Sequence, residues 1–300
     1  MILLTGATGL VGSALLRRLV SPDGPRQPIR CLVRDPRRLG ADRVRVQIAL
    51  GDLADPPSFR NALRGVKTVV HLAATIRDQP GGSIEELNGI ATWRLVQAAE
   101  AAGVERFVFF SALGATTHDR TRFLRAKALA EEAVAKSTIP AHTIFAPSIV
   151  YAPHDAYLTL LERMALLPLM PVSGRGEARF QPIWAEDVAS CVINALGRSP
   201  EKARYELAGP DVLTHTDIVR LALEAAGRSR PLVHVPTPIV SRSLRAAEAL
   251  MKWRAPVVWD EAELMEVSLL SAGSTEDAET LGVMPAAMAA VLGVPAAAAA

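Results

Sequence analysis

The chain has 300 residues, half of them hydrophobic and 21% charged, with a formal net charge of +2. This excludes a disordered chain and fits one large α/β domain, or one domain with a smaller appended lobe. The near balance of charge argues against a protein that coats nucleic-acid phosphates, and two cysteines and six histidines without ligand spacing predict no metal, no disulfide framework and a reducing, cytoplasmic setting.

The opening is an apolar strand, Ile2-Leu3-Leu4, that runs at once into Thr5-Gly6-Ala7-Thr8-Gly9-Leu10-Val11-Gly12. Glycines at 6, 9 and 12 let the backbone turn tightly, approach a pyrophosphate and pack a helix closely on a sheet. A helix over 13–20 follows and aims its free N–H groups and positive dipole end at the phosphates. Strand, turn and helix together name a dinucleotide as the ligand, cradled by Gly6, Thr8, Gly9, Leu10, Val11 and Gly12; an ordinary tight turn is the plainer alternative. Because residues 2–4 already serve as a strand, no signal peptide is expected.

Ile29–Val33 reads as the second strand and ends at Arg34, with Arg37 and Arg38 close behind. A carboxylate at this place commonly bonds the ribose 2′-hydroxyl of NAD, whereas a guanidinium suits a 2′-phosphate. NADP(H) is therefore favoured over NAD(H). Asp35 is the competing feature, since a shift of one residue would aim it at the ribose. A solvated arginine face is the plainer reading. Strand three is expected over 44–50 and leads to Gly51-Asp52-Leu53. Asp52 could accept from the adenine amino group or cap the next helix. Strand four, over 66–72, ends in His71-Leu72-Ala73-Ala74, and the small Ala73 and Ala74 let a dinucleotide lie against the backbone. A helix over 84–102 contains Asn88, either a bridge near the site or a bland helix position. Strands over 107–110 and 141–146 flank a helix over 122–136. Such alternation implies a doubly wound parallel sheet covered on both faces, a Rossmann-type α/β fold occupying residues 1–150.

After about residue 150 the pattern changes. Helices are expected over 156–167, 185–196, 217–226 (with Thr214 as N-cap) and 238–253, short strands over 205–207 and 231–235, and a Pro/Gly-rich loop over 168–176. Residues 151–300 then form a mainly helical substrate lobe over the carboxyl edge of the sheet. The uncharged stretch 280–300 is broken by Pro285, Gly293 and Pro295, so a short helix with a frayed alanine tail is expected rather than an integral membrane span.

TGATGLVG (5–12), GDL (51–53), HLAA (71–74), Asn88, FVFFSALGA (107–115), FLRAK (123–127), PSIVY (147–151), FQPIWAEDVA (180–189) and YELAGP (205–210) together resemble the extended and atypical short-chain dehydrogenase/reductases. Within that superfamily the chain looks most like the branch of the nucleotide-binding accessory subunit of respiratory complex I and its bacterial relatives. The resemblance implies an oxidoreductase that acts on a small or medium carbonyl or hydroxyl compound. It also implies Pro147 and Ile149 beside the nicotinamide, and a homodimer through the helices over 84–102 and 122–136.

Catalysis in that family uses Ser, Tyr and Lys, the last two four residues apart on one helix face. The match offers Ser111 and Lys127, but Phe123 stands at the tyrosine position. A phenyl ring carries no ionisable proton. Three outcomes are open: cofactor binding without chemistry, another proton donor (His118, Tyr151, Tyr157 or a water on Ser111 and Lys127), or a reaction with lighter proton demands. Nucleotide-sugar epimerase or dehydratase chemistry needs the tyrosine and is disfavoured. Arg175, Arg179, Gln181 and Trp184 are expected along the substrate side.

Overall fold

Apolar runs separated by amphipathic helices build the core of the computed structural model, which describes residues 1–22, 24–199, 203–251 and 259–295. Strands β1 (Ile2–Thr5), β2 (Ile29–Val33), β3 (Gln47–Leu50), β4 (Thr68–His71), β5 (Arg106–Phe110) and β6 (Ala141–Pro147) come first. Short strands β7 (Val150–Tyr151), β8 (Met170–Ser173), β9 (Arg179–Phe180) and β10 (Ile183–Trp184) precede β11 (Arg204–Leu207), and β12 (Leu213–Thr214) and β13 (Leu232–Val235) follow. Seven of them form one parallel sheet in the order β11-β6-β5-β4-β1-β2-β3. The order reverses at β1, which pairs with β2 on one side and β4 on the other. Ligands of open α/β sheets bind at such a switch point, outside the carboxyl ends of the strands.

The α-helices are α1 (Leu10–Leu19), α2 (Pro56–Phe59), α3 (Ala91–Ala101), α4 (Arg122–Ala135), α5 (Ala156–Met164), α6 (Ala185–Leu196), α7 (His215–Ala225) and α8 (Thr237–Met251), followed by the short α9 (Trp259–Leu264), α10 (Glu276–Thr280) and α11 (Met288–Val291). Leu15, Leu16 and Leu19 of α1 pack with Val188 and Val192 of α6 on one face of the sheet. Leu95, Val96 and Ala99 of α3 and Ala130 and Val134 of α4 cover the other, against Phe107 and Phe109. The central strands are thus covered on both faces, which is why they read as largely apolar runs, while the edge strand β3 is mostly exposed. A third apolar cluster joins Ala112 and Leu113, just past β5, to Leu158, Phe180, Ile218 and Leu223. The second half therefore closes over the carboxyl ends of β5 and β6, where it also returns α6 and β11 to the sheet layer.

Several expected boundaries move. The strand expected over 44–50 starts only at Gln47, because Pro36–Arg45 is a 3-10 segment kinked at Gly40, whose φ is 59°. The helix at 84–102 enters through a π-turn, Glu86–Ile90, before α3. The first helix starts earlier than expected, at Leu10, with Gly9 as its N-cap. The helix over 156–167 stops at Met164. The loop expected at 168–176 contains β8, which pairs in parallel with β13, Met170 opposite Leu232. Thr214 caps α7 as expected, in a reciprocal box with Asp217, but the helix begins at His215. The expected terminal helix is the single turn Met288–Val291, and residues 252, 253 and 296–300 lie outside the described residues.

Candidate active site

The glycine turn after β1 has no room for a side chain at Gly6 or at Gly12. Gly6 adopts φ +74°, and a Cβ there would lie 2.5 Å from the Ala73 nitrogen. A Cβ on Gly12 would lie 2.0 Å from the Gly6 carbonyl oxygen. The turn is closed by Gly9 N–H donating to Gly6 O at 2.9 Å. No side chain caps α1 and no acidic residue stands in its first turn, so its leading N–H groups face outward without a carboxylate to occupy them. They border a cleft of about 420 Å³, with Thr8, Gly9 and Leu10 on one side and Val150, Asp155 and Tyr157 on the other. Gly12 is buried and Val11 half-buried against the sheet, so these two shape the helix start from behind.

The second strand delivers Arg34 to the same edge. Its exposed guanidinium stands 4.0 Å from Asp52 Oδ2. Asp35 accepts from Arg37 N–H at 3.0 Å and so serves as the N-cap of the 3-10 segment. Asp52 closes a local turn, its Oδ1 accepting from Ala54 N–H, and does not cap the next helix. Leu53 and Ala73 are half-buried and Ala74 is exposed along this edge. Residues that bind a dinucleotide need this arrangement: a turn without side chains for the pyrophosphate, an uncapped helix start, and a cation at the end of the second strand. The chain's own cradle fits that group.

Beneath the turn lies a buried polar relay that the sequence did not announce. Thr5 and His71 are opposed in register on β1 and β4. Thr92 donates to Asn88 O at 2.5 Å, so His71 Nε2–H donates to Thr92 at 2.9 Å and Thr5 Oγ1 donates to His71 Nδ1 at 2.6 Å. Asn88 is a bridge: its Nδ2 donates to Thr75 O and Ile84 O, and its Oδ1 accepts from Thr75 N–H. The π-turn carries Asn88 inward and ties the chain after β4 to the helix layer. Burial, with Lys127 nearby, pushes the His71 pKa down to about 3. An unfolded chain binds the proton near 6.5, so His71 supports full stability above that pH and withdraws it as pH falls toward 3. Stability should drop by up to about 1.4 kcal/mol per pH unit below the unfolded pKa, and His71→Asn should flatten that slope in urea unfolding curves.

Past the end of β5, Ser111 follows Phe110, the residue whose carbonyl Lys127 binds. Lys127 is 3% exposed, and its Nζ donates to Phe110 O at 2.6 Å. It lies 5.0 Å from the ring centre of Phe109 and 5.7 Å from that of Phe123. Burial lowers its pKa to about 7, partly opposed by the Glu131 carboxylate. Ser111 is 5% exposed and its hydroxyl has no hydrogen-bond partner. Phe123 is half-buried one turn before Lys127 on α4.

The other candidates are separated by their surroundings. His118 is exposed on the loop before α4. The Tyr151 hydroxyl is buried without a partner, and burial with Asp187 and Asp211 nearby pushes its pKa well up. Tyr157 reaches the cleft and bonds His215 Nε2 at 2.8 Å, the rings stacked 6.4 Å apart. Burial raises the Tyr157 pKa and lowers that of His215, so the pair is neutral at neutral pH, with Tyr157 on the cleft. This partnership was missed because the two residues are 58 apart in sequence. Pro147 and Ser148 are buried and Ile149 half-buried. Gln181 is buried, donates to Ser274 and accepts from Ser271 N–H. Arg175 and Arg179 are exposed, and Trp184 is half-buried in the third cluster.

Residues 6–199 match the NAD(P)H-binding family. The chain is 29% identical over 282 residues to the mitochondrial NADH dehydrogenase [ubiquinone] 1 alpha subcomplex subunit 9 of Arabidopsis thaliana, covering 90% of this chain and 69% of that protein. It is 30% identical over 240 residues to the ceramide reductase of Caulobacter vibrioides, covering 78% and 73%. Among solved structures, the NADPH-dependent quinone oxidoreductase of Escherichia coli complexed with NADPH superposes with a TM-score of 0.74 at 19% identity, covering 98% of this chain and 99% of that one. Glycine turn, switch point and matched span agree: the chain belongs to the NAD(P)H-binding family and is an extended short-chain dehydrogenase/reductase-like protein.

Proposed function

We propose that this chain is an NADP(H)-dependent reductase of a small or medium carbonyl compound, working without the family's tyrosine. The observation that carries the reading is the Ser111 hydroxyl, buried and unpartnered one residue after Phe110, whose carbonyl holds the buried Lys127. An unsatisfied buried hydroxyl costs about 1–3 kcal/mol, a cost that suits a group kept free for a substrate oxygen. Arg34 supports NADP(H) over NAD(H), since its exposed guanidinium, paired only loosely with Asp52 at 4.0 Å, suits a 2′-phosphate.

When bound, NADPH supplies the hydride. Ser111 donates to the substrate oxygen and polarises the carbonyl. Lys127, held by Phe110 O, orients the nicotinamide ribose, and its protonated form, favoured below about pH 7, places a cation near the developing alkoxide. Tyr157, which lines the cleft beside the glycine turn, stays protonated at neutral pH and is held by His215, is the proton donor in this reading. Residues 1–150 form the dinucleotide domain in this reading, and residues 151–300 the substrate lobe that brings Tyr157. Ile90, Trp93 and Leu129 are exposed on the α3–α4 side and provide a homodimer face. Two buried free thiols, Cys31 and Cys191, fit a cytoplasmic setting.

The test is NADPH oxidation by the purified chain across a panel of aldehydes, ketones and quinones. Turnover is expected, and Tyr157→Phe should lower kcat by about 10²-fold or more with little change in NADPH affinity. A second reading, a regulatory or accessory protein that holds NADPH without turnover, is favoured by Phe123. Tight NADPH binding with no oxidation across the whole panel would establish it instead.

A further inference from the structure

We infer that His215 is the positioning residue of Tyr157: it holds the phenol and returns to it, from solvent, each proton it gives up. This rests on the reductase reading above, in which Tyr157 is the donor. Both ends of the pair are fixed by their own helix starts. Asp155 caps α5 by accepting from Leu158 N–H at 2.7 Å, which sets the turn that carries Tyr157. The Thr214–Asp217 box sets the start of α7, where His215 N–H donates to Ala178 O at 2.9 Å. The Tyr157 hydroxyl and His215 Nε2 then meet at 2.8 Å.

The other ring nitrogen makes the pair a route rather than a dead end. Among the described residues Nδ1 bonds no protein group, yet it is not sealed from solvent as the unpartnered Tyr151 hydroxyl is, and His215 keeps 7% of its surface open. The next residue, Thr216, contacts the exposed His234 of β13, its Oγ1 3.4 Å from His234 Nε2. Glu266 and His234 act on His215 in opposite directions, and Asp155 acts on Tyr157; burial outweighs all three, so both groups are neutral at neutral pH. Reduction of a carbonyl needs one hydride, supplied by the bound NADPH, and one proton. The Tyr157 O–H bond breaks as the O–H bond of the product alcohol forms. The phenolate then takes the Nε2 proton of His215 while Nδ1 takes one from solvent. The imidazole ends as its other neutral tautomer, and no charge remains buried.

Histidine-ring nitrogen NMR and steady-state kinetics of the whole chain test this. In the cofactor-free chain the His215 Nε2 signal should shift when Tyr157→Phe removes its partner; a signal indifferent to that change overturns the pairing. With NADPH and the best compound of the panel, His215→Ala should lower kcat about tenfold or more and change KM less than about twofold. Added imidazole should recover most of that loss. His215→Gln still bonds the phenol but offers no second ring nitrogen, so it should be as slow as His215→Ala. In a Tyr157→Phe background, His215→Ala should lower kcat no further and imidazole should do nothing. Wild-type turnover by His215→Gln, or a His215→Ala defect that imidazole does not relieve, would leave the histidine a packing group and overturn the relay alone. Absence of turnover by the unmodified chain would overturn the reductase reading and the relay together.

Discussion

Gly12→Ala should raise the Kd for NADPH at least about 100-fold and lower the melting temperature at the same time. The new Cβ would sit 2.0 Å from the Gly6 carbonyl oxygen and 2.7 Å from its carbon, both backbone atoms with no rotamer to yield. Either α1 moves away from the turn or the turn opens, and each displaces the N–H groups that point into the cleft. Overpacking of this kind costs about 1–3 kcal/mol in stability. Gly9→Ala separates the two effects. Its Cβ meets only the Gly6 oxygen, at 3.3 Å, and its φ of −84° suits any residue. That variant should melt close to wild type yet bind NADPH at least about tenfold more weakly, because the methyl group occupies the approach to the pyrophosphate. Calorimetric titration and thermal unfolding followed by circular dichroism read both. A Gly12→Ala protein that binds NADPH like wild type would remove the phosphate cradle from the turn.

Phe123→Tyr should raise kcat/KM for a reducible carbonyl by about 10²-fold. The phenyl ring already lies 5.7 Å from Lys127 Nζ, so an added hydroxyl enters the field of that lysine. A nearby cation favours the phenolate and so makes the phenol a better acid. Gain at the lower end of general-acid effects is expected because Tyr157 already serves the cleft. Steady-state NADPH oxidation with the best compound of the panel is the readout, and the pH profile of kcat/KM should change with it. An unchanged rate would mean that the reacting carbon does not lie beside position 123, and the catalytic role of Ser111 and Lys127 would fall with it.

The parallel sheet was legible because short apolar runs alternate with amphipathic helices; the strand Ile29–Val33 and the helix Ala185–Leu196 fall where the pattern places them. The glycine cradle was legible because its requirement is local, three positions within seven residues. What depended on distant partners was not. β8 lies inside a Pro/Gly-rich stretch and becomes a strand only through β13, about sixty residues later. His71 looked like the polar end of a strand, yet it is fully buried, satisfied by Thr5 and Thr92. Gln181 carried no mark of its bonds to Ser271 and Ser274. Asp35 and Asp52, each open to a ligand role on sequence, are both engaged by neighbouring backbone N–H groups. Tyr157 was one of four proton-donor candidates, and only its place at the cleft beside His215 separates it from Tyr151 and His118.

The most direct measurement is calorimetric titration of the unmodified chain with NADPH and, separately, with NADH. The account predicts a single saturable site, with NADPH held about tenfold or more tightly than NADH through Arg34. A chain that takes up neither dinucleotide at any attainable concentration would contradict it.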